Sequence, residues 1–162
     1  MKNLRIFLIC LATGLFHQTN IHAQNTWSAC ASFPGINRDD AVGFSVGSFG
    51  YAGTGMDTGF QLTKDIWRYD PANGTWTQVA DFGGSPRQYC SSFTINGIGY
   101  VLTGIDNNGQ FQNDAWSYDP SLNLWSQKAS IPGVGRSGAV AFAINNAGYI
   151  GTGFTGSTYL ND

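Results

Sequence analysis

The feature that most restricts the fold is a repeat. Asp65-Ile66-Trp67-Arg68-Tyr69-Asp70-Pro71 runs on to Trp76, and 49 residues later the pattern returns as Asp114-Ala115-Trp116-Ser117-Tyr118-Asp119-Pro120, running on to Trp125. Each copy sets a Trp and a Tyr on one face of a period-2 pattern and follows them with Asp-Pro turn chemistry, which predicts a β-hairpin. Without a gap, the same period aligns Trp27, Trp76 and Trp125; Ala31, Ala80 and Ala129; Arg38, Arg87 and Arg136; and Phe44, Phe93 and Phe142. It also aligns Gly50, Gly99 and Gly148; Tyr51, Tyr100 and Tyr149; Thr54, Thr103 and Thr152; and Gly55, Gly104 and Gly153. Such self-similarity marks an architecture of stacked units that each bury a face on the next. Asn161-Asp162 match Asn113-Asp114, so a third hairpin is expected to begin at the last residues of the sequence.

Each period carries four strand signals, in the first copy about Ala41 to Val46, Gly50 to Gly55, Asp65 to Asp70 and Thr75 to Ala80, separated by Gly-, Pro- or Asn-rich breaks. Four strands in just under 50 residues make one blade of a β-propeller. The first strand of each copy is small and apolar, which suits a crowded inner position beside a central channel. Trp67, Tyr69 and Trp76 are large enough to fill the widening outer wedge. The expected fold is therefore all-β, with blades at about 38–80, 87–129 and an incomplete 136–162.

Composition agrees and removes several functions. There is no glutamate, and the polar positions are filled by turn formers rather than helix formers. Residues 1–23 combine Lys2 and Arg5, an apolar run from Ile6 to Phe16 and a small residue at Ala23, the order of a secretory signal peptide cleaved near Ala23. The run is too short to span a bilayer, so the expectation is a secreted or cell-surface protein with no membrane span. Beyond residue 23, six basic residues face ten aspartates, which argues against nucleic acid as a partner. Both histidines, His17 and His22, fall in the leader. Residues 24–162 therefore cannot build a histidine-based hydrolase triad, and only aspartate is available for acid–base work.

An Arg, a Phe-bearing strand, a Gly-Tyr strand ending in Gly-Thr-Gly (Gly53-Thr54-Gly55 and Gly151-Thr152-Gly153), then Asp-x-Trp-x-Tyr-Asp-Pro and Trp together resemble the Kelch repeat. The form is the one common in secreted bacterial proteins of the galactose-oxidase-like type, and the resemblance covers nearly all of residues 27–162. One departure is that Thr-Gly stands where the family usually has a double glycine. The resemblance implies a propeller of about six or seven blades. Two full blades and part of a third are present, so the remaining blades are expected to be missing from this chain, with a leading strand around Trp27 closing the ring. It further implies a non-catalytic protein- or glycan-binding module. The alternative is a carbohydrate-active enzyme, a galactose-oxidase-like oxidase or a sugar mutarotase, with its active site in the missing blades. An oxidase-type copper site needs histidine ligands, so no metal or cofactor is expected in this chain.

Binding residues are sought where the framework is constant and the loops vary. Loops after the second and fourth strands should share one face, and Met56 to Lys64, Ile105 to Asn113 and Phe154 to Asn161 differ from copy to copy. The candidates there are Asp57, Phe60, Asp106, Gln110, Phe111 and Tyr159, although Phe111, aligned with Leu62, also reads as a pin for its own loop. Arg38, Arg87 and Arg136 stand before each inner strand and are candidates for an anion-binding ring, while in the family such arginines tie neighbouring loops together. Asp106-Asn107-Asn108-Gly109 reads as turn chemistry rather than a calcium loop, because no later bidentate carboxylate follows. Gly151 to Gly156 match a dinucleotide pattern but open no helix, so no phosphate site is expected. Cys30 and Cys90, placed on outer and inner strands, are expected to be free, buried thiols.

Overall fold

The computed structural model describes residues 28–162; the predicted leader and Trp27 lie outside the described residues. Fourteen strands follow in chain order. The first copy of the repeat supplies β1 (Arg38–Asp39), β2 (Val42–Val46), β3 (Phe49–Gly53), β4 (Met56–Asp57), β5 (Ile66–Asp70) and β6 (Thr75–Val79). The second supplies β7 (Arg87–Gln88), β8 (Ser91–Ile95), β9 (Ile98–Leu102), β10 (Ile105–Asp106), β11 (Ala115–Asp119) and β12 (Leu124–Lys128). The third supplies β13 (Val140–Ile144) and β14 (Ala147–Gly151).

Two antiparallel sheets of identical order result, β2-β3-β5-β6 and β8-β9-β11-β12, with β13-β14 beginning a third. The registers repeat as well. Phe44 pairs with Tyr51 and Tyr69 with Trp76 in the first sheet, as Phe93 pairs with Tyr100 and Tyr118 with Trp125 in the second. Trp76 and Trp125 occupy equivalent places: the indole nitrogen of each donates to an alanine carbonyl 45 residues earlier, Ala31 and Ala80, at 3.1 Å. Asn96 and Gly97 join β8 to β9 with φ of 50° and 78°. That pair of left-handed residues is the two-residue turn that matches the twist of a tight hairpin.

Small two-stranded pairs, β1 with β4 and β7 with β10, cap the same end of each blade. Their two-residue length carries no periodicity, and the sequence did not reveal them. Ser28 to Pro34 form no strand. Cys30 is therefore exposed, a correction to its expected burial: it lies on an unpaired approach segment rather than an outer strand. Cys90 precedes β8, and burial pushes its thiol up to about 12 although Arg87 nearby lowers it. Neither cysteine is in a disulfide.

Blades pack by a knob and a notch. Phe44 stacks on Tyr51 with ring centroids 5.1 Å apart and projects towards the second blade. A Cβ on Gly99 would lie 2.3 Å from the Phe44 ring. Phe93 repeats the arrangement against Gly148, also at 2.3 Å. This close approach is why glycine recurs in the column. Alternate residues of the inner strand face the other way: the Ser92 and Thr94 hydroxyls donate to the Gly43 and Ser45 carbonyls of the preceding blade at 2.7 and 2.6 Å. Val42, Val46, Tyr51, Ile66, Phe82, Val101, Tyr118 and Trp125 form the buried core. Each such side chain removed from water contributes roughly 1.5–3 kcal/mol. On the third sheet the corresponding face, Val140, Phe142 and Ile144, is exposed among the described residues.

The strand-ending threonines carry the family departure into geometry. Thr54, Thr103 and Thr152 have φ of 53°, 59° and 64°, a left-handed conformation that a β-branched residue adopts at a cost. In return, the turn aims the following amides across the blade boundary. Gly55 N donates to Arg87 O at 2.8 Å and Gly104 N to Arg136 O at 2.9 Å.

Candidate binding face

The ends of β3, β9 and β14 and the approaches to β2, β8 and β13 all emerge on one face, because β1 pairs with β4 and β7 with β10. The arginine column lies just beneath. Arg87 is 1% exposed and spends every guanidinium nitrogen internally. Its Nη1 and Nη2 grip both oxygens of Asp114 at 2.5 and 3.0 Å, Nη1 also reaches the Thr103 carbonyl, and Nε reaches Ser85 O. Arg38 holds Asp65 at 2.6 and 2.8 Å, and Arg136 holds Asp162 at 2.7 and 2.9 Å. Phe82 and Phe33 lie 5.0 Å from the Arg87 and Arg38 guanidinium carbons. The arrangement clips the start of each blade to the beginning of its third strand. It does not present free cations to the channel mouth.

The loop carboxylates are also internally engaged. Asp57 accepts from the amides of Gly59 and Gln61, and Asp106 from those of Asn108 and Gln110. The second Asp106 oxygen takes the Gln112 side-chain amide at 2.9 Å. Phe111 lies edge-on to Phe154 at 5.9 Å and covers Gly156, so it pins the second loop to the third. Gln110 is exposed beside it, on a cavity of about 550 Å³. Tyr159 is 83% exposed and packs against Phe154 at 4.9 Å.

Two other aromatics stand out by conformation. Phe60 is 79% exposed with φ of 60°, and Tyr89 is 45% exposed with φ of 57°. Phe60 was legible as a candidate; Tyr89 was not. Tyr89 belongs to the column Asp40, Tyr89, Gly138, all three left-handed, in which Tyr89 N donates to Asp40 O and Gly138 N to Tyr89 O. Interaction with the Asp40 carboxylate raises the Tyr89 phenol above its ordinary value. Phe60 closes a cavity of about 390 Å³ shared with Asn37, Asp39, Met56 and Asp57. Tyr89 lines another of about 560 Å³ with Phe154 and Tyr159. Both volumes lie in the range of small recognition pockets, about 300–1,000 Å³.

Successive four-stranded sheets with inner strands latched side by side and variable loops on one face define a β-propeller. The Kelch motif family matches residues 58–83 and 86–132, which together with the fold supports a Kelch-repeat β-propeller. The solved structure of YjhT aligns with 80% of this chain at a TM-score of 0.71 and 21% identity, a likeness of fold alone. This chain spans 49% of that structure's length. No curated protein matches the sequence. Among the described residues no helix is long and apolar enough to cross a membrane.

Proposed function

We propose that this chain belongs to an exported, non-catalytic binding protein whose loop face takes a protein or glycan ligand, with further blades outside the sequence. The observation that carries this reading is the contrast between a constant framework and unlike loop tips. Phe60, Gln110, Tyr159 and the newly located Tyr89 stand exposed on one face, while the arginines beneath them are consumed by the scaffold. Side chains that keep much of their surface in water once the framework is complete are available to meet a partner. Export rests on the leader-like order of residues 1–23.

The test is to probe the secreted protein with a glycan array and with candidate cell-surface proteins, and in parallel to assay sugar oxidation with added copper. Binding that is lost on substituting Phe60, Tyr89 or Tyr159, without turnover, supports the reading. Oxidase or mutarotase activity that survives those substitutions refutes it.

A further inference from the structure

The repeats supply an internal control for Phe60 and Tyr89. Phe60 aligns with Gly109, and the two share a left-handed backbone, φ 60° against 72°. Tyr89 aligns with Gly138, φ 57° against 62°. Glycine reaches this conformation freely, whereas a bulky side chain is strained there. Phe60, 79% exposed, recovers little of that cost by burial, and Tyr89, 45% exposed, recovers only part of it. Folding alone favours glycine in both columns, and a sibling blade has it. Strained residues that serve no packing purpose gather at functional sites.

Their surroundings give the ligand's chemistry. Asp39 lines the cavity that Phe60 closes, and Asp40, the next residue, accepts the Tyr89 backbone amide at 3.2 Å, so the two rings lie on either side of two successive aspartates. Among the described residues the ion pairs are Arg38–Asp65, Arg87–Asp114 and Arg136–Asp162, which leaves Asp39 and Asp40 without a cationic partner. Arg38 lines the same cavity, but its charge is committed to Asp65. Asp57 has turned its carboxylate to its own loop amides. An anionic ligand would be repelled here, and a neutral sugar, whose hydroxyls can hydrogen-bond a carboxylate, brings no countercharge to two of them. A basic side chain satisfies both features, its aliphatic stem lying on an aromatic face and its charged head meeting a carboxylate.

We propose that the strip from Phe60 across Asp39 and Asp40 to Tyr89 binds a lysine or arginine side chain on an extended segment of a partner protein. The inference rests on the binding-face reading above and narrows it to a basic partner.

The test is fluorescence polarisation of the protein with a labelled Lys-Gly repeat peptide and its Gln-Gly and Glu-Gly counterparts, at low and high salt. The basic peptide should bind best and weaken as salt rises. Phe60→Gly and Tyr89→Gly, which install each column's own glycine, should each lower its affinity about two- to fivefold, the scale of one exposed cation–π contact. Their melting temperatures should hold or rise. Asp39→Asn with Asp40→Asn should remove most of the salt dependence. Equal binding of the basic and neutral peptides, or unchanged affinity in the glycine variants, overturns the site. So does a melting temperature several degrees lower, which would make the rings structural. A glycan array on the same proteins separates the two levels. Glycan binding that depends on Phe60 and Tyr89, without preference for basic peptide, overturns the cationic site and keeps the binding face; binding to neither overturns both.

Discussion

Replacing Arg87 by methionine tests whether the arginine column is scaffold or binding ring. Methionine keeps much of the apolar stem against Phe82 but removes every donor. The Asp114 carboxylate, with its side chain 14% exposed, then retains only the Trp116 indole at 2.8 Å, and the Thr103 carbonyl and both Ser85 oxygens lose their partner. Breaking a buried pair from one side costs about 3–5 kcal/mol. Against a total stability of roughly 5–15 kcal/mol that is a large fraction. The melting temperature should fall by about 10–20 °C. Arg136→Met is the matched control, because its partner Asp162 has a side chain 58% exposed and water can take over much of its solvation. A clearly smaller loss than for Arg87→Met is expected there, because solvent screens an exposed partner. The assay is urea unfolding followed by tryptophan fluorescence, with an unchanged slope required for the comparison. Adding Asp114→Asn to Arg87→Met should recover part of the loss, since the uncompensated charge disappears. Equal losses for Arg87→Met and Arg136→Met, or less than about 1 kcal/mol for Arg87→Met, would refute the clip and return the arginines to the list of ligand contacts.

Gly99→Ala drives a Cβ to within 2.3 Å of Phe44 and should cost about 1–3 kcal/mol, whereas Gly50→Ala, whose nearest contact is Tyr69 Cβ at 3.9 Å, should stay within about 0.5 kcal/mol in the same urea titration. Burial alone would raise the Asp65 pKa, but hydrogen bonds from Arg38 and Trp67 and the Arg38 charge outweigh it and hold the carboxyl below its usual value. A depressed folded-state pKa contributes stability above the unfolded value near 4, lost as pH falls through the folded value; urea midpoints measured from roughly pH 5 downward should show this loss in the parent and a reduced one in Asp65→Asn. Exposed Cys30 should be alkylated readily in the folded protein and Cys90, with its pKa near 12, only on unfolding, which mass spectrometry before and after denaturant checks; rapid double labelling of the folded chain would contradict the enclosure of Cys90.

What could be read from the sequence follows from where physical demands repeat. The hairpin aromatics and the glycine notch recur because each blade meets the same neighbour in the same register, so Trp76 with Trp125 and Gly99 with Gly148 were visible as identical columns. Phe82, which packs against Trp116, Trp125 and Arg87 as Phe33 packs against Trp67, Trp76 and Arg38, was overlooked because the third copy carries Ile131 in that column. The short β1–β4 and β7–β10 pairs lacked the length for a period-2 signal. Tyr89 was hidden for a deeper reason. A search for identity finds what the scaffold needs in every blade, and Asp40, Tyr89 and Gly138 have nothing in common except a backbone conformation that only coordinates disclose. In a repeat protein, recognition belongs in columns where the backbone is held constant and the side chains are not. Phe60 with Gly109 and Tyr89 with Gly138 are such columns, and the strain of holding a ring where a neighbouring blade has glycine separates them from ordinary loop variation.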